Sequence, residues 1–342
     1  MHPDSDITVS VQLQSWYPIG YNTVPDITTI AHFISLKYKT STTMSPLAPV
    51  YFGSVNRWEC DENDHLNVRF YAQKMQQTLT CGLLDLGLAT PLTLDTTLQS
   101  IAAQHMRYLA EARIATPLTG LIGLLGTTEN SFTVLTELHN TETGLVQASF
   151  TQTFNTRLER HPASHVPLPD HAGSRGIAYR DSPFAHLSLA EALEQGFITI
   201  GRGMIQADEC SADGRLLPHL YMGRVSDSMP NLWARFASPE EPGLRGAGDE
   251  GGAVLEYRMT YSGSLNLGER FEVVSGVLAL ADKTQHFVHQ LYSVETGRCV
   301  VAAEALAIAM DLKARKAMSI SPSRRAAMQA FLLTMPAPAA QS

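Results

Sequence analysis

The stretch Trp58-Glu59-Cys60-Asp61-Glu62-Asn63-Asp64-His65-Leu66-Asn67 decides how this sequence is read. Four carboxylates fall within residues 59–64 and a histidine follows them. Directly downstream, Tyr71, Met75, Leu79 and Leu83 recur every fourth residue, which predicts a helix with one apolar face. Part of the crowding is what a helix start requires. Asp and Asn side chains accept hydrogen bonds from free N–H groups of the first turn and sit well at the positive end of the helix dipole. Capping accounts for one or two of the acids. It does not account for four that repel one another, nor for a histidine, whose cation that end disfavours.

Working outward, the same scaffold occurs twice. A shift of 150 residues places Gly53-Ser54-Val55 over Gly203-Met204-Ile205, Glu59-Cys60 over Glu209-Cys210, Leu66 over Leu216 and Tyr71 over Tyr221. The helical stripe returns as Tyr221, Val225, Met229 and Trp233. A shift of 153 then places residues 138–144 over 291–297, and both end in Glu-Thr-Gly, a hairpin turn signal. The flanking runs, 132–138 and 145–154 in the first copy and 286–292 and 299–310 in the second, read as strands with one buried face. Each copy is expected to be an α+β module in which an antiparallel sheet packs on one helix. The expected organisation is an N-terminal arm (1–45) containing a strand at 33–38, a first module (46–162), a Pro-, His- and Gly-rich linker (163–196), a second module (197–318) and a C-terminal helix and tail (319–342).

The copies differ where the chemistry would be. Asp61 becomes Ser211, Asn63 becomes Asp213 and His65 becomes Arg215, although the need for a helix cap is the same in both. A charge-rich set present once on a scaffold present twice is what a single active site would leave.

Bulk composition removes several classes. The 342 residues carry 25 Lys+Arg against 33 Asp+Glu, a net charge of -8, so neither a polyanion held by bulk charge nor a nucleic-acid partner is expected. The apolar runs 273–281 and 299–310 are too short to cross a bilayer. With no basic n-region or apolar h-region at the N-terminus, a cytoplasmic chain without a membrane partner is expected. Cysteines 60, 81, 210 and 299 form no CxxC pair, so neither a metal nor a disulfide framework is expected, nor a cofactor. No Gly-x-Ser-x-Gly elbow is present. Gly201-Arg202-Gly203 is read as a strand-edge turn rather than a phosphate loop, and His286 and His289 as side chains on opposite strand faces. Trp58 and Trp233 are read as core or pocket walls, and Arg57, Arg69, Arg113, Arg202 and Arg224 as solvated surface arginines.

A strand followed by Asp61, Asn63, His65 and Asn67 at the mouth of a long helix resembles the signature of hotdog-fold thioesterases, most closely the plant acyl-carrier-protein thioesterases, which are tandem double-hotdog chains. The resemblance implies a five- or six-stranded sheet wrapped round a central helix in each half, and hydrolysis of acyl-CoA or acyl-carrier-protein thioesters. It implies catalytic roles for Asp61, Asn63 and His65. It also implies one for a glutamate in a Tyr-x-x-Glu context, matched here by Tyr108-Leu109-Ala110-Glu111, whose second-copy counterpart is read as Thr260. Backbone N–H groups from Leu66 to Val68, with Asn67, are the expected substrate contacts, since a helix N-terminus can hold a developing oxyanion. The motif lies in the N-terminal half, whereas in the plant enzymes it lies in the C-terminal half. The same fold also serves hotdog hydratases, whose Asp-x-Asn-Pro-x-His pattern is not matched here, and non-enzymatic acyl-CoA-binding proteins, the two alternatives to a hydrolase. Hotdog modules pair, so a homodimer of double-hotdog chains is a further expectation.

Overall fold

The computed structural model describes residues 46–61, 63–158, 164–179, 182–236 and 250–334; the expected arm at 1–45 and its strand at 33–38 lie outside these. The first copy runs β1 (Ala48–Ser54), a 3-10 turn (Arg57–Glu59), α1 (Val68–Asp85), α2 (Leu94–Gln99), β2 (Ile101–Tyr108), β3 (Pro117–Thr127), β4 (Phe132–Asn140) and β5 (Val146–Phe154). After a short 3-10 turn (Asp170–Ala172) and α3 (Leu189–Glu194), the second copy repeats the plan: β6 (Ile198–Met204), a 3-10 turn (Ala207–Glu209), α4 (Pro218–Phe236), β7 (Glu250–Tyr261), β8 (Arg270–Leu280), β9 (Thr284–Ser293) and β10 (Cys299–Asp311). A two-residue β11 (Lys316–Ala317) and α5 (Pro322–Gln329) follow.

The strands form one antiparallel sheet in the order β1-β3-β4-β5-β2-β7-β10-β9-β8-β6, with β11 added to β10. Read outward from the middle, the two halves have the same order. They meet where β2 pairs β7, from Ala103 opposite Thr260 to Arg107 opposite Glu256. In a lone module β2 and β7 would each be an open edge, a template for unwanted pairing; joined to each other they present none there.

Each helix lies across its own half of the sheet, and α1 also packs against α4. The predicted stripe of α1 is its buried face: Tyr71, Met75, Leu79 and Leu83 are all within the core. In α4 the buried line steps from Tyr221 and Val225 to Ser228, Leu232 and Phe236, leaving Met229 and Trp233 only partly buried. Steps of exactly four residues drift round a helix of 3.6 residues per turn, so a longer stripe has to alternate threes and fours.

Glycine sets how closely helix and sheet approach. A Cβ on Gly201 would run into Ser228 Oγ on α4, and, within the sheet, one on Gly203 would meet the ring of its cross-strand partner Phe271 on β8 at 2.6 Å. Gly201-Arg202-Gly203 is therefore neither a phosphate loop nor a turn; it lies inside β6, where α4 crosses it. Trp58 corrects another expectation, for at 74% exposure it is no part of the core, whereas Trp233 packs on Phe236 and Phe287. Arg224 is also not a surface residue: it forms a largely buried ion pair with Glu209 and lies 4.9 Å over the Phe271 ring.

The segment between the halves is strapped to the seam. Glu256 on β7 is 1% exposed, and its carboxylate accepts from His105 Nε2 (2.8 Å), Ser174 Oγ (2.9 Å) and the Gly176 N–H (3.0 Å). The N–H groups of Arg175 and Ile177 add longer bonds of 3.3 Å. Burial alone would raise this carboxyl, but the bonds to His105 and Ser174 and the loop N–H groups hold it at about 2. A second tie joins His171 Nε2 to Glu137 Oε1 at 2.6 Å.

Candidate active site

The signature stretch folds into a tight turn between the 3-10 helix and α1. Cys60 bridges Leu66, and the Asp61 N–H donates to His65 O at 2.8 Å. Asp61 Oδ1 closes the turn from within, accepting the N–H groups of Asn63 (2.8 Å) and His65 (3.2 Å). Asp64 takes a left-handed conformation (φ 59°), and the second copy places Gly214 (φ 81°) at that point. Capping of α1 falls to Asn67, whose Oδ1 accepts the Arg69 N–H at 2.8 Å and also Ser226 Oγ from α4 at 2.9 Å. Glu59 is structural: it is buried, accepts the Asn56 N–H and pairs with Lys74 Nζ at 2.9 Å. Glu209 and Arg224 repeat that pair in the second copy. The crowding of acids thus resolves into a buried ion pair, a turn closure and an exposed Asp64 facing Arg57 at 3.6 Å. Asn63 is half-buried, with no side-chain hydrogen bond among the described residues.

Glu111 reaches this turn because the loop after β2 pairs with it. The Leu66 N–H donates to Ala112 O (2.8 Å), and His65 bridges Arg113. His65 Nε2 then lies 3.2 Å from Glu111 Oε2. A third group arrives from the other half: Arg315, in the turn between β10 and β11 (φ 53°), donates from Nη2 to Glu111 Oε1 and lies 2.7 Å from His65 Nε2. Arg113 flanks Glu111 at 3.8 Å. Burial lowers the pKa of His65; Glu111 works against that and Arg315 with it. For Glu111, burial acts to raise the carboxyl, but the bond from Arg315 and the neighbouring His65 and Arg113 hold it below the usual carboxylate value. Near neutral pH the site therefore holds a neutral imidazole against an ionised carboxylate. Its Nε2 can donate to Glu111 or accept from Arg315, but not both at once.

The second copy keeps the backbone frame of this arrangement but not its side chains. Leu216 N–H donates to Leu265 O as Leu66 does to Ala112, and Tyr221 OH accepts the Leu265 N–H as Tyr71 OH accepts that of Ala112. Leu265 is thus the counterpart of Ala112, which makes Ser264, and not Thr260, the counterpart of Glu111. The β7 strand is longer than β2, so an alignment taken at the helices slips by the time it reaches this loop. Arg215 replaces His65 and turns back on Asp213, with Nε to Oδ2 at 2.6 Å.

The backbone donors are fewer than expected. The N–H groups of Leu66 and Asn67 are already bonded, to Ala112 O and to Glu59 O (2.9 Å). Only the Val68 N–H has no partner among the described residues. In the second copy this position is Pro218, which has no N–H to offer. Among the described residues no group of three or more His, Cys, Asp or Glu could hold a metal ion, and no helix is long and apolar enough to cross a membrane.

Two like halves, each with a helix across a five-stranded antiparallel core, joined through their second strands, make this a double-hotdog chain. Residues 219–331, in the second half, match the model of the thioesterase-like superfamily. The fold is shared with an acyl-ACP thioesterase from Bacteroides thetaiotaomicron (TM-score 0.53, 7% identity, covering 75% of this chain and 96% of that one). It is shared with a Lactobacillus plantarum protein described as an oleoyl thioesterase (TM-score 0.55, 10% identity, 78% and 97%). A 12:0-ACP thioesterase from Umbellularia californica is also similar (TM-score 0.50, 10% identity, 75% and 92%). No curated protein sequence matches the chain.

Proposed function

We propose that this chain hydrolyses acyl thioesters carried on CoA or acyl-carrier protein, at one active site in its first half. The observation that carries the reading is the contact of His65 with Glu111 and Arg315, three residues before the unpartnered Val68 N–H, on a scaffold whose other copy has Arg215, Ser264 and Pro218 in those places. In this reading the thioester oxygen lies against the Val68 N–H at the positive end of α1 and gains hydrogen bonding as it becomes an oxyanion. Glu111, ionised and 40% exposed on its side chain, takes a proton from an attacking water, and His65 shares it through Nε2. A proton on Nε2 tightens the bond to Glu111 and repels Arg315, so the cluster has a place to hold that proton until the thiolate leaves. Asp61, whose Oδ1 is committed to the turn, positions His65, and Asn63 contacts the substrate.

The test is a panel of acyl-CoA and acyl-carrier-protein thioesters of graded chain length, assayed for free thiol with the parent chain, Asp61→Ala and Glu111→Ala. Turnover by the parent that Glu111→Ala reduces at least a hundredfold is expected. Binding of acyl-CoA with no thiol released at any chain length would leave a binding protein instead.

A further inference from the structure

The second copy has lost the chemistry but retains a cleft. About 260 Å³ of space opens between the α2–β2 junction of the first half and the start of α4, with Gln99 and Asn155 on one side and Arg215, Pro218, Tyr261 and Ser264 on the other. This is the position related to the His65–Glu111–Val68 site by the repeat: Arg215 stands for His65, Ser264 for Glu111 and Pro218 for Val68. Nothing there serves as a base, and the amide that would face an oxyanion is absent.

What lines the cleft selects a class of ligand. The charge of Arg215 is spent on Asp213, so this is not an anion hole. Gln99 Nε2 is tied to Ser211 Oγ and Leu216 O, both at 3.2 Å, which aligns the amide. Ser264 Oγ and the Asn155 side-chain amide make no hydrogen bond among the described residues. A half-open space lined mostly by neutral donors and acceptors, with Ile101, Ala102 and Pro218 among them, suits an uncharged chain bearing amides. At roughly 30 Å³ per water, it has room for on the order of ten non-hydrogen atoms.

We propose that the second copy binds the thiol-bearing end of the pantetheine arm of a CoA or carrier-protein thioester without hydrolysing it, the rest of the arm lying outside the cleft, so that one chain holds two such arms and cleaves at one. The ligand class rests on the reading of the first copy as a thioesterase site; the existence and position of the cleft do not. Isothermal titration of the full chain with CoA tests it. Two equivalents per chain are expected in the parent and one in Ser264→Trp, which fills the cleft, or in Asn155→Leu, which removes its amide with little change in bulk. Thermal melts establish which variants are folded, and the less disruptive Asn155→Leu decides the matter if the tryptophan is not accommodated. One equivalent or none in the parent, or two that a folded variant leaves undiminished, overturns the proposal. Thiol release is read separately: a chain that hydrolyses acyl-CoA but binds a single equivalent loses this inference alone, and one that binds two and hydrolyses nothing loses the hydrolase reading alone.

Discussion

At the scale of single residues, Asp61 and Glu111 make different contacts although a motif would assign them together. Asp61 Oδ1 holds two backbone N–H groups, a task asparagine can also perform. Asp61→Asn is therefore expected to keep the stability of the parent in urea, while Asp61→Ala loses about 1 kcal/mol. Asp61→Asn should also retain at least a tenth of the thiol release that Glu111→Gln abolishes; equal loss in both would return Asp61 to the chemistry. The pH profile follows from His65. Its pKa is lowered below 6.5, so the neutral form is favoured in the folded protein. An acid limb in kcat/KM is expected below pH 6.5, and substitution of Arg315, which helps to depress His65, should move that limb to higher pH. Linkage has the same sign: stability from a neutral His65 is complete above 6.5 and is lost as pH falls toward the lower folded value.

Elements explain how those residues meet. The turn between β10 and β11 carries Arg315 across to Glu111, 204 residues earlier in the chain. Arg315→Ala is expected to lower kcat tenfold to a hundredfold, with partial recovery in Arg315→Lys, because a lysine restores charge but cannot reach both partners from one planar group. The buried Glu59–Lys74 pair anchors the 3-10 turn to α1; Lys74→Met leaves a carboxylate unpaired and should cost about 3 to 5 kcal/mol in a denaturant melt. The helix stripe, the hairpins and the repeat were readable in the sequence because their periods are local. The Asp61 to Asn67 turn and Glu111 were singled out through resemblance, and Glu111 lies beside His65 in the folded chain. Arg315 gave no signal, since nothing in a run of Lys-Ala-Arg-Lys tells which side chain a hairpin will deliver to another module. The acids misled in part because Glu59 belongs to a buried ion pair, and a buried pair looks in sequence like one more surface charge.

For the whole molecule, the pH dependence of stability rests on buried histidines and the seam on one carboxylate. Burial holds His219 at about 4, with Arg69 adding to the shift, and holds His289 at about 3. The unfolded chain binds protons at both below 6.5 while the folded chain does not, so the melting temperature should fall steadily from pH 6.5 to 4. His289→Phe should flatten that decline. Glu256→Gln at the seam should lower the melting temperature and expose residues 174–177 to proteolysis, since a neutral amide cannot accept as many N–H and O–H donors. The pairing of β2 with β7 within one chain has a consequence for inheritance. In a dimer of identical subunits every codon is read into both sites, so a change that disarms one disarms the other. Here each site has its own codons, and a proline at 218 can remove a donor from one helix while Val68 keeps it in the other.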